Sequence, residues 1–113
     1  MPHGTVYFIR SPNGRGPVKI GISAQPDERR KALQRSVGRP LVIAATYGWS
    51  FGSAVERSFH AMFRDLHIGG EWFEQDAALE AAIDALAAGS FDATQLPPPR
   101  RLWSGKGRQK VAA

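Results

Sequence analysis

In the stretch TVYFIRSPNGRGPVKIGIS, residues 5 to 23, a phenol and an ammonium group stand where a plain hairpin would be indifferent to both. Strand side chains alternate, so Val6 and Phe8 share one face, and Val18, Ile20 and Ile22 share a face of the next strand. Thr5, Tyr7, Lys19, Gly21 and Ser23 turn the other way, which brings two groups able to handle charge onto one surface. A solvated sheet face has the same pattern. Further along, Glu56, His60 and His67 fall along one side of a helical stretch. Glu56 has two readings, because Ser53-Ala-Val-Glu56 also fits the capping box, in which the glutamate bonds the N-cap amide. His60 is retained as a secondary site candidate and His67 as a structural residue. Neither histidine has a zinc-type spacing, and the absence of cysteine removes thiolate chemistry.

These groups need a scaffold. SPNGRGP joins the first two strands and supplies fixed and positive-φ positions for a hairpin with a longer loop. Pro26, followed by Asp27 and Glu28, opens a helix that runs to about Val37 and is stopped by Gly38 and Pro40. LVIAATYGW is apolar and β-branched at its start, so it forms a third strand, and GWSFGS turns the chain. A second helix over SAVERSFHAMFRDLH carries an apolar stripe of Val55, Phe59, Met62, Phe63 and Leu66. GGEWFE is a small strand or packed loop. A third helix, DAALEAAIDALAAG, places Leu79, Ile83 and Leu86 on one stripe. The expected fold class is α+β, a small antiparallel three-stranded sheet flanked by helices, in the order β-β-α-β-α-(short β)-α.

A chain of 113 residues buries a core without disulfides. One domain is expected over residues 1–90, and residues 91–113 form a Pro-rich, then basic tail. Lacking a leader-like start or an 18-residue apolar run, the sequence points to a cytoplasmic protein with no membrane partner. Net charge is uneven: residues 1–55 carry eight Lys/Arg against Asp27 and Glu28, residues 56–99 carry two against eight acids, and the tail adds five with none. A polyanion is the natural partner of such a tail, since each neutralised phosphate releases counterions. Trp103 in that tail is a docking or base-stacking candidate.

Taken in order, TVY at 5–7, KIG at 19–21, Arg29 eight positions after Gly21, KIGIS…P..R…LQ, E…H..F and GEWF resemble the GIY-YIG nuclease superfamily, in a compact branch found in phage proteins and fungal meiotic proteins. The resemblance covers residues 5–74. Two positions depart from the better-studied nucleases, since the first triplet lacks its glycine and Lys19 replaces the tyrosine of the second.

The resemblance implies a metal-dependent DNA endonuclease using Mg²⁺ or Mn²⁺, with Glu56 as the metal ligand. A hard oxygen donor suits such an ion, which keeps most of its water. Tyr7 would orient or deprotonate the attacking water, the latter only if the site lowers a phenol pKa near 10. Arg29 would hold the phosphate, Lys19 would add a second positive charge, and Gly21 would allow close approach of the substrate backbone. His60 completes the catalytic candidates. Arg30, Lys31 and Arg35, with Arg100 and Arg101 in the tail, are candidate backbone contacts if DNA passes Arg29, and otherwise a solvated helix face. No organic cofactor is expected. The alternatives are a DNA-binding module of the same fold without turnover, and an accessory protein-interaction domain.

Overall fold

The computed structural model describes residues 4–48 and 52–99. Trp49 and Phe51 in the GWSFGS turn, the basic tail, Trp103, Arg100 and Arg101 lie outside the described residues. The sheet is built from β1 (Thr5–Arg10), β2 (Val18–Ser23), β3 (Val42–Tyr47), β4 (His67–Gly69) and β5 (Trp72–Phe73). The helices are α1 (Pro26–Val37), α2 (Gly52–Met62) and α3 (Ala77–Ala88). All strand pairs are antiparallel, in the order β3-β1-β2-β5-β4.

The sheet therefore has five strands where three were expected. The two beyond three are short: β5, of two residues, is the small strand offered for GGEWFE and joins the sheet, whereas β4, of three, is too short for alternation to mark it. They form a tight hairpin across Gly70, at φ 56°, and Glu71. The second helix also ends earlier than its apolar stripe suggests. It stops at Met62, a 3₁₀ turn covers Arg64–Leu66, and His67 already belongs to β4. The main chain shows why, since Leu66 N–H turns back to Phe63 O (2.8 Å) while Leu66 O accepts from Glu74 N–H (2.7 Å), joining the turn to the segment after β5.

Other elements follow their local chemistry. Gly14, at φ 75°, closes the β1–β2 loop through its N–H to Ser11 O (2.9 Å). Pro26 stands in the first turn of α1 and Gly38 caps its end. The Asp76 side chain accepts from Ala78 N–H (2.6 Å) at the start of α3, and Gly89 closes it.

Alternation in β1 and β2 separates two apolar surfaces rather than one apolar and one wet. Val6, Phe8, Val18 and Ile20 face α2 and α3, packing with Phe59, Phe63, Phe73, Leu79, Ile83 and Leu86. Tyr7 and Ile9 face α1, packing with Leu33 and Leu41. Phe91 and Leu96 extend the larger core past α3. Its centre is Phe59, fully buried and edge-on to Phe8, with ring centroids 5.1 Å apart. Such a pair contributes about 0.5–1.5 kcal/mol beyond area burial. Phe59→Ala is expected to lower unfolding free energy by about 3–5 kcal/mol in urea titration, because the cavity lies between two layers that cannot both relax into it.

Candidate active site

The site forms where β2 loses its neighbour. Lys19 pairs with Trp72 and Ile20 N–H donates to Glu71 O (2.9 Å), but the pairing with β5 extends no further. Ile20 O accepts instead from His60 Nε2 of α2 (2.8 Å). A carbonyl can only accept, so Nε2 carries the proton. Burial holds the His60 pKa below its usual value, outweighing the hydrogen bond, and the ring is uncharged at neutral pH. His60 therefore ties α2 to β2, with Glu56 Oε2 4.0 Å from the same nitrogen.

Tyr7 is opposite Gly21 in the β1–β2 ladder. A Cβ built on Gly21 would lie 2.6 Å from Glu71 Oε1 and nearer still to the Tyr7 hydroxyl. The space freed by the missing Cβ is filled by these two side chains, so glycine is what permits them to converge. Tyr7 is buried, and its hydroxyl accepts from Arg29 Nε (3.4 Å). Burial raises its pKa above the usual 10.0, more than the Arg29 bond lowers it, and Glu71 and Glu56 add to the rise. The phenol thus stays protonated at neutral pH. Arg29 is an exposed residue on α1 whose pKa rises through that same bond, so it remains a cation facing the site.

Lys19 is 8% exposed, a rare state for an ammonium group. Its Nζ lies 3.4 Å from Glu71 Oε1 and 5.2 Å from the centre of the Trp72 ring, giving it a counter-ion and an aromatic face. Glu56 comes from α2, on the other side of the sheet. Its pKa is raised to about 8, first by burial, then by the adjoining Glu71 carboxyl through hydrogen bonding and charge. Glu56 Oε2 is buried and has no hydrogen-bond partner. The capping-box reading of this residue fails, because α2 begins at Gly52 and Ser53 already lies inside the helix.

Tyr7, Lys19, Gly21, Arg29, Glu56 and His60 are thus brought together. Sequence reasoning missed Glu71, which lies against Lys19, Gly21 and Glu56 and acts through its charge on Tyr7, Arg29 and His60. Its signal was present in GEWF, an acid between a Gly-Gly turn and a Trp-Phe pair. His67 is structural, donating from Nε2 to Gly70 O (2.8 Å) and bracing the turn that carries Glu71. The remaining α1 cations are divided. Arg30 is drawn to Asp27 (3.1 Å), Gln34 Oε1 (3.2 Å) and Leu41 O (3.5 Å), Lys31 lies near Asp27 and Glu28, and Arg35 is exposed.

The family model of the T5orf172 domain matches residues 4–88, a span that includes every one of these site residues. The chain belongs to the T5orf172 domain family. The T5orf172 domain is GIY-YIG-like and nuclease-associated, and occurs in phage and other proteins. No match is found among curated proteins or solved structures.

Among the described residues of this T5orf172 domain, no three His, Cys, Asp or Glu side chains form a cation cage. A hard cation that keeps most of its water needs only one or two carboxylates, and the buried, unpartnered oxygen of Glu56 is a suitable donor. No described helix is long and apolar enough to cross a membrane.

Two outcomes are expected. Gly21→Ala should cost about 1–3 kcal/mol in urea unfolding, because its Cβ meets both Tyr7 and Glu71. The second concerns pH. A carboxyl that holds its proton to about pH 8 when folded, against 4.5 ordinarily, favours folding most in acid, and that contribution disappears as pH rises from 4.5 to 8. The metal-free protein should therefore lose melting temperature between pH 5 and 8, by about 4–8 °C for each kcal/mol. In Glu56→Gln this fall should shrink, which thermal unfolding at several pH values would detect; an unchanged slope would show that Glu56 is not the titrating group.

Proposed function

We propose that this domain is a divalent-metal-dependent DNA endonuclease. The observation that carries the reading is the convergence of Tyr7, Lys19, Arg29 and Glu56, from four separate elements, with one buried oxygen of the Glu56 carboxyl left without a hydrogen-bond partner. Membership of a nuclease-associated family supports it.

Glu56 would hold Mg²⁺ or Mn²⁺, which when bound polarises the phosphoryl oxygen and stabilises the leaving oxygen. Lys19 and Arg29 supply two positive charges for the scissile phosphate. The guanidinium fork matches two of its oxygens, and the ammonium acts as a point charge whose burial strengthens its field. Protonated at rest and bonded to Arg29, Tyr7 is suited to orienting the attacking water through its hydroxyl. His60 holds Ile20 and so fixes Glu56's helix to the strand of Lys19 and Gly21. Arg35, the exposed side of Lys31 and the tail's Arg100 and Arg101 would follow the DNA backbone. Arg30, already shared among three acceptors, would position α1.

A second reading, a DNA-binding module without turnover, has one observation in its favour: Lys19 is already paired with Glu71. Incubation of supercoiled plasmid with Mg²⁺ separates the two. The wild-type chain is expected to nick it, and Glu56→Gln should lower the rate by a hundredfold or more while retaining DNA affinity. Binding without nicking in the wild-type protein would overturn the nuclease in favour of the module.

A further inference from the structure

We propose that Glu71 is a second carboxylate ligand of the divalent cation assigned to Glu56, an inference that rests on the nuclease reading. Two carboxyl groups on unrelated elements, α2 and the β4–β5 hairpin, are held against one another beside Lys19 and Gly21. Hydrogen bonding within the hairpin does not require that placement. The backbone fixes it instead, through Ile20 N–H to Glu71 O (2.9 Å), the positive φ of Gly70 and the brace from His67.

The two carboxyls differ in their access to solvent. Glu56 Oε2 is buried with no hydrogen-bond partner, whereas the Glu71 side chain is 35% exposed, so one donor is desolvated and the other is reached from solvent. The nearest alternative donor, His60 Nε2, is committed to the Ile20 carbonyl. One or two carboxylates with retained water is the usual protein contribution to a magnesium site.

Lys19 has a defined part in this arrangement. At 3.4 Å its ammonium is farther from Glu71 Oε1 than the 2.7–2.9 Å of a strong charge-assisted bond, so it offsets the carboxylate's charge without claiming the oxygen. With a cation held by Glu56 and Glu71, the Glu71 carboxylate would no longer need Lys19 for that offset. Lys19, whose ammonium lies 5.2 Å from the centre of the Trp72 ring, would then be free to serve the phosphate.

The test is Mn²⁺ binding by the full chain at pH 8, measured by isothermal titration and by the electron paramagnetic resonance of free Mn²⁺, without DNA. Glu71→Gln is expected to weaken binding tenfold or more, as is Glu56→Gln. Lys19→Met should leave binding equal or tighter, because a competing positive charge is gone. If Gln disturbs the hairpin, as judged by circular dichroism, Glu71→Ala must show the same loss. A Glu71 variant that binds Mn²⁺ within threefold of wild type while Glu56→Gln does not would overturn the second ligand and leave the nuclease reading standing. Loss of binding in Lys19→Met would also overturn it, since Glu71 would then act only through Lys19. Unchanged binding in Glu56→Gln would remove the cation site itself, and with it both proposals.

Discussion

One residue of β2 ties the layers together. In an antiparallel strand the N–H and C=O of a residue point to the same neighbour, and those of Ile20 point away from β1. Its N–H goes to the main chain of Glu71 and its C=O receives the imidazole of His60. The terminal hairpin and α2 are thus both registered against the strand carrying Lys19 and Gly21. Meanwhile the Ile20 side chain is fully buried in the core beneath α2 and α3. Backbone and side chain pull in the same sense, and the position of every acid at the site follows from that.

The electrostatics are compact for the same reason. A buried ammonium, a buried carboxyl and a half-exposed carboxylate are each costly to desolvate alone. Here each lies within reach of a group of opposite or shareable charge, and an aromatic ring supports the ammonium. Tyr7 is drawn into the same set from β1, since its hydroxyl and the Glu71 carboxylate compete for the space above a glycine. That crowding limits substitution at Gly21.

Much of this was legible in residues. Alternation in β1 and β2 assigned Tyr7 and Lys19 to one face, Pro26 and Gly38 bounded α1 correctly, and Leu79, Ile83 and Leu86 proved to be the buried stripe of α3. The hidden parts have physical causes. β4 is too short to carry a period, and the small strand read in GGEWFE gave no sign that it would join the sheet. The end of α2 is set by a long-range bond from Glu74 to Leu66, not by a local stop residue. Glu71 stands in the GEWF motif, but its role depends on which edge of β2 its hairpin joins, and the motif does not encode that choice. The sheet face given to α1 looked in sequence like a solvated one, since Tyr7 and Lys19 are polar residues that the fold buries.

The β1–β2 hairpin closes through a loop of a few residues, whereas the β4–β5 hairpin reaches β2 only after the chain has wound through two helices and a strand. Loop-closure entropy therefore favours the first hairpin early and the second late. Until the second docks, Lys19 and Tyr7 occupy a half-built face without the acid that neutralises it, and burying the ammonium then is unfavourable. Docking of the last strands and compensation of that charge become a single event, so the domain has little reason to populate a state that is folded but lacks its site.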